Sequence, residues 1–350
     1  MKLKKWIIPL SLPLQILLIS IASKNTQWIE DNYSLGIYPK ISEFSRSILG
    51  VFDFSVGDIL YILIIINIIA FVFIKIRKNK IPWSEVLRKT LKLSAIVYFL
   101  FHVLWGLNYY RKPLHKVLNI EHEYSTEELE KITYLLLNKS NELHEQLQPN
   151  DSLAVVYNYT TTDIFDKTVT AYASLQNLFP KLEYNKKSIK KSLLSKPLSY
   201  MGFGGYLNPF TNEAQVNSYI VPYKMPVTSC HEEAHQLGFA KENEANFIGV
   251  MACIKSNDLY FQYSGYTFAL RYCINDLYNR DEQKAICALE KFRPGIRENF
   301  QEISDFWKAH ENPLEPFFKL FYNQFLKVNN QKGGLQSYNY MVALVVNYLK

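Results

Sequence analysis

The stretch Cys230-His231-Glu232-Glu233-Ala234-His235-Gln236-Leu237-Gly238 carries the pattern H-E-x-x-H, and the rest of the chain is read outward from it. On an α-helix, residues four apart fall within about 40° of each other and one turn along the axis, so the imidazoles of His231 and His235 can reach one metal ion. Glu232 lies at the edge of that face, where a carboxylate can take a proton from water that the metal activates. The chemistry implied is zinc-dependent hydrolysis.

A catalytic zinc site takes three protein ligands and leaves its fourth position open. After Gly238 the chain runs Phe239-Ala240-Lys241-Glu242-Asn243-Glu244-Ala245-Asn246-Phe247, and Glu242 is the candidate third ligand. In a straight helix Glu242 would stand roughly 10 Å along the axis from His235, too far to share an ion with bonds of about 2 Å. The helix is therefore expected to break at Gly238, because glycine tolerates the left-handed conformation that commonly ends helices. A second helix starting near Glu242 puts Asn246 and Gly249 beside it, and Asn246 can orient a ligand by hydrogen bonding. Glu244 faces roughly the opposite side and is the weaker, alternative ligand.

The order H-E-x-x-H, then Glu with Ala three and Asn four positions later, resembles the gluzincin branch of zinc metallopeptidases. The resemblance implies His231, His235 and Glu242 as zinc ligands, Glu232 as general base and Asn246 as support. More closely, residues 200–254 with the apolar N-terminus look like an uncharacterised bacterial family of three-span membrane proteins bearing the same motif. That likeness covers most of the chain and implies no known substrate. Two departures are visible. Lys241 stands where the metzincin branch would place a third His, which disfavours that branch, and Glu233 is charged where the residues between the histidines are usually uncharged.

Three apolar stretches precede the motif, at about 6–22, 59–74 and 93–109, each near the roughly 20 residues that cross a bilayer. The first contains Pro9, Pro13 and Gln15, and the third His102, which suits either a function or packing against a partner helix. The alternative for the first stretch is a cleaved signal peptide, with Lys2, Lys4 and Lys5 as its basic leader and Ser20-Ile21-Ala22 as its cleavage site. Either reading sends residue 24 outward. Basic residues gather before the first stretch and between the second and third (Lys75, Arg77, Lys78, Lys80, Arg88, Lys89, Lys92), while the link between the first and second is balanced. By the positive-inside rule both basic segments are cytoplasmic, so the part after the third span lies outside.

Charge also excludes a nucleic-acid partner. Residues 1–92 hold 13 Lys and Arg against 6 Asp and Glu, which accounts for the whole chain's formal +7; the remainder is balanced at 26 against 26. The basic excess marks topology and not a phosphate-binding surface. A local basic run from Lys181 to Lys196, with Lys186, Lys187, Lys190 and Lys191, reads as a solvated face, the alternative being contact with anionic headgroups.

The division expected is a membrane region at 1–112 and an extracytoplasmic domain at 113–350, long enough for a sizeable core. Within the domain, Ser125-Thr126-Glu127-Glu128 has capping-box spacing and opens a helix to about 146. A short strand at 153–159 and a helix over 163–178 follow. Residues 201–219 read as two strands around Asn208-Pro209, either a tight hairpin or an edge strand that holds an extended substrate. Pro226 suits the first turn of the motif helix. Further helices are expected at about 258–277, 281–291, 296–309, 313–328 and 336–349. The fold class is mainly α, with three transmembrane helices followed by a zincin-like α+β domain carrying a small sheet.

Cys230, Cys253, Cys273 and Cys287 lack metal-ligand spacing and read as buried thiols or one disulfide. Among the tyrosines near the motif, Tyr206, Tyr219 or Tyr223 can stabilise an oxyanion. The function expected is a zinc peptidase of the bacterial inner membrane acting on peptide or protein substrates at the outer face. The alternative is a receptor or assembly protein with a structural zinc site, which would need a fourth protein ligand such as Glu244 or Glu213.

Overall fold

The structure, a computed structural model, describes residues 3–77, 83–176, 179, 184–334 and 340–350. Runs of Ile, Leu and Phe with few charges form the helices Ile7–Ala22 and Val56–Arg77, most of whose side chains are exposed. Each belongs to a stretch long and apolar enough to cross a bilayer, Lys4–Ala22 and Val56–Ile74. The third expected span, 93–109, does not match a helix of that kind. Its helix is Trp83–Leu104, and Glu85, Arg88, Lys89 and Lys92 break the apolar run in its first half. The chain then tightens into a 3₁₀ turn, Gly106–Tyr110, which buries Asn108 and Tyr109 in protein, as Trp105 before it is buried. Two helices among the described residues, not three, therefore meet the requirement by length and composition. His102 packs between Tyr98 and Phe101 and bonds through Nδ1 to its own helix at the Tyr98 carbonyl.

The remainder is mainly helical around a three-stranded sheet. Strands β1 (Ile189–Lys191), β2 (Gly205–Asn208) and β3 (Glu213–Val216) lie in the order β1-β3-β2. β2 and β3 form the expected hairpin, antiparallel, with Leu207 opposite Ala214. β1 pairs parallel to β3 and is a correction to the sequence reading, since it lies in the basic run expected to be solvated. Lys190 in it is buried, and its ammonium donates to the carbonyl of Phe52.

The strand expected at 153–159 is absent, for a reason visible in its neighbour. Asn299 Oδ1 accepts the N–H of Val155 and its Nδ2 donates to the same residue's carbonyl, so one side chain satisfies the groups that a pairing strand would take. The helices agree better. The capping box at Ser125 and Glu128 is formed and opens Thr126–Leu147, and a second one at Thr160 and Asp163 opens Thr161–Ala173. Positions 177–178 of that expected helix lie outside the described residues. Leu259–Arg280, Glu282–Leu289, Pro294–Lys308, Glu315–Val328 and Met341–Leu349 stand within a few residues of expectation, with 336–339 outside the described residues.

The link between the first two apolar helices is built into the same body as the motif. It forms π-type turns over Ile29–Ile37 and the helix Tyr38–Leu49. At its end, Glu213 of β3 accepts the N–H groups of Val56 and Gly57, and Asp58 accepts Leu193 N–H and the Ser192 hydroxyl. A carboxylate at a helix N-terminus satisfies orphaned donors and opposes the macrodipole. Glu30 and Arg111 pair at 2.6 Å with side chains 5% and 6% exposed. Removing one partner strands a buried charge, so Arg111→Met is expected to lower unfolding stability by about 3 kcal/mol. Denaturant titration of the full chain in detergent checks this, and an unchanged midpoint contradicts the packing of this link on the domain.

Candidate metal centre

The motif sits on the helix Met225–Gln236, with Pro226 in its first turn as expected. It lies on β2 and β3 on one side and on the helix Glu242–Lys255 on the other. Gly249 makes the second contact close, since a Cβ there would meet the backbone N of His231 at 2.9 Å. Glu233, the charged departure, is buried and accepts the Thr168 hydroxyl at 2.7 Å. The motif helix is therefore buried despite its charge.

The helix ends where the sequence predicts. Gly238 has φ +91°, and its N–H donates to the His235 carbonyl while that of Phe239 donates to Ala234. This pair of bonds is the Schellman arrangement. It turns the chain so that the Phe239 carbonyl meets His235 Nδ1 at 2.7 Å, leaving Nε2 free to face a metal. The new helix then starts at Glu242.

Glu242 Oε2 comes within 3.3 Å of His231 Nε2 and 3.4 Å of His235 Nε2. His231, Glu232 and His235 also form a buried cluster whose ligand atoms lie within 4.8 Å of one another. Glu242 Oε2, one oxygen of Glu232 and His231 Nδ1 are buried without hydrogen-bond partners. A buried acceptor facing two ring nitrogens suits a divalent cation, and the two-imidazole, one-carboxylate donor set suits zinc. Burial raises the Glu242 carboxyl, but the two imidazoles outweigh it and hold it well below the usual carboxylate range. Burial lifts Glu232 to about 8.

The other expected residues separate cleanly. Burial lowers the His231 imidazole overall, with Asn246 beside it acting weakly in the opposite sense, although Asn246 Nδ2 completes no hydrogen bond. Glu244 turns away, accepting Leu114 N–H and pairing with Lys241 at 3.6 Å, so it does not join the ligands. Tyr206 donates to Asp58, Tyr219 is 59% exposed, and Tyr223 is buried with its hydroxyl unpartnered. The four cysteines are free, Cys287 exposed and the others buried.

Several residues around the centre carried no sequence signal. Tyr322 donates to Glu242 Oε1 at 2.7 Å and Gln331 accepts the Glu242 N–H. Trp105 Nε1 donates to the His235 carbonyl, Tyr38 to that of Gln236 and Arg111 to that of Gly238. The aromatic and basic run 105–111 at the end of an apolar stretch is the one local hint. On β2, a Cβ at Gly205 would meet Glu232 Oε1 at 2.6 Å, so this strand passes directly over the glutamate.

A family model described as "Protein of unknown function (DUF3810)" matches residues 33–346, and the chain belongs to that family. No curated protein matches it, and no solved structure does.

Two outcomes are expected for metal content. His231→Ala and His235→Ala abolish stoichiometric zinc in elemental analysis of the purified protein, and Glu242→Ala loses more of it than Glu244→Ala; equal loss in the two glutamate variants contradicts the ligand set. Gly238→Ala, forced to a φ that L-residues rarely adopt and brought to 3.0 Å from Tyr38, lowers zinc affinity by about tenfold or more and lowers the thermal midpoint. Wild-type values for both would mean that the helix break does not set the ligand geometry.

Proposed function

We propose that this chain is a membrane-anchored zinc peptidase of gluzincin type. The observation that carries the reading is the convergence of His231 Nε2, His235 Nε2 and Glu242 Oε2 beside a Glu232 carboxylate with one unpartnered oxygen. Zinc held by these three would polarise a scissile carbonyl and lower the pKa of water. Glu232 takes the proton of the attacking water at its carboxylate and delivers it to the leaving amine. Tyr322 and Phe239 fix Glu242 and His235 from behind, and β2, an edge strand that runs over Glu232, offers backbone groups to an extended peptide.

The alternative is a receptor or assembly protein with structural zinc, which requires a fourth protein ligand. Glu244 and Glu213 are both engaged elsewhere, which favours the catalytic reading.

The same reading places the metal centre on the outer face. Tyr38 bonds the motif helix directly, so the 24–55 link and the domain share one side of the membrane. Helix Val56–Arg77 leaves that side, and Trp83–Leu104 must return the chain to it as a third crossing, its Arg88, Lys89 and Lys92 reaching the cytoplasmic headgroups. The exposed Phe317, Leu320 and Phe321 on Glu315–Val328 support contact with the bilayer, since Phe325 of that helix meets Phe101 at 6.3 Å.

Glu232→Gln is expected to keep zinc and fold while hydrolysis of a peptide library falls by about 10²-fold or more. Cleavage at the wild-type rate, or a wild type that cleaves nothing and binds zinc through four protein ligands, sinks the peptidase reading. For topology, a reporter fused after Lys350 should behave as extracytoplasmic and one near Lys80 as cytoplasmic; the reverse pattern contradicts the sidedness.

A further inference from the structure

Beside the first turn of the motif helix lies a cavity of about 540 Å³ with aromatic walls, Tyr223, Phe268, Tyr272 and Trp307. Two cations line it, Lys224 and Arg271. Lys224 Nζ stands 5.9 Å from the ring centroids of both Phe268 and Trp307. The Arg271 guanidinium lies over Phe300 at 5.7 Å. Neither cation has an ion pair or hydrogen bond among the described residues. The Tyr223 hydroxyl in the same wall is buried and also lacks a partner. Glu302, the carboxylate felt at Tyr223, accepts a hydrogen bond from Asn299 Nδ2.

Two like charges facing one cavity repel each other, and the half-buried Lys224 is poorly solvated; an anion relieves both costs. Burial, with the charge of Arg271, already brings Lys224 down to about 8. A guanidinium fork and an ammonium, which only donate, and a phenol hydroxyl that can donate form a set suited to an oxyanion, and the rings around them suit an apolar or aromatic body. We infer that this cavity binds a small organic anion, an aromatic or apolar group bearing a carboxylate or a phosphate. Val227 lines the cavity one helical turn before His231, so the anion would sit against the metal centre's own helix. The inference stands apart from hydrolysis, because none of the groups that hold the anion is a metal ligand or the general base.

The test is calorimetric titration of the full-length protein in detergent with N-acetylphenylalanine, phenyl phosphate and the neutral N-acetylphenylalaninamide. At least one anion is expected to bind about tenfold or more tightly than the amide, and the tighter of the two identifies the headgroup. Arg271→Gln and Lys224→Met should each remove most of that preference without moving the thermal midpoint. Binding should persist in Glu232→Gln, so that loss of peptidase activity and loss of anion binding are read separately. Should Lys224→Met fail to fold, the exposed Arg271 decides alone. Equal binding of acid and amide, no binding of either anion, or an Arg271→Gln variant that binds like wild type overturns the inference.

Discussion

The end of the motif helix at Gly238 is the constraint on which the site depends. A helix that stops leaves its last carbonyls short of partners, and here side chains from distant parts of the chain donate to them, at His235 alongside the Gly238 N–H. Trp105 takes His235, Tyr38 takes Gln236 and Arg111 takes Gly238. The stop and its partners have one consequence for chemistry: the chain reverses within a few residues and brings Glu242 back to the two imidazoles. A continued helix would have carried Glu242 away from them.

Those capping side chains also join the apolar helices to the metal centre. Tyr38 belongs to the link after the first apolar helix, and Trp105 and Arg111 follow directly on Trp83–Leu104. The N-terminus of Val56–Arg77 is held by Glu213 of the central strand, whose neighbour β2 runs over Glu232. The apolar helices are thus tied by hydrogen bonds to the elements that carry His231, His235 and Glu232. The buried Glu30–Arg111 pair adds to this, because separating its members exposes a charge to an apolar surrounding.

The sequence made the local features legible where one residue type forces one outcome. Gly238 announced the break, Ser125 and Glu128 the capping box, and the pattern His231, His235, Glu242 the convergence of those three side chains. It failed where the deciding partner is far away in the chain. The segment 153–159 reads as a strand by composition, but Asn299 occupies its backbone groups. Lys190 reads as solvated, yet the carbonyl of Phe52 gives its ammonium a buried partner and lets β1 form. The third apolar stretch, 93–109, reads as a span by composition, but its helix Trp83–Leu104 carries Glu85, Arg88, Lys89 and Lys92 in its first half, and Trp105 and Tyr109 after it pack on protein. Tyr322 and Gln331 approach Glu242 from about 80 and 89 residues away, with no local pattern to mark them.

Zinc K-edge absorption of the full-length protein tests the central claim most directly, since it reads the ligand atoms and not activity. The account predicts a first shell of two imidazole nitrogens at about 2.0–2.1 Å with oxygen completing it and no sulfur, and loss of an oxygen contribution in Glu242→Ala. A sulfur shell at about 2.3 Å, which would bring in Cys230, or a spectrum that Glu242→Ala leaves unchanged, would contradict it.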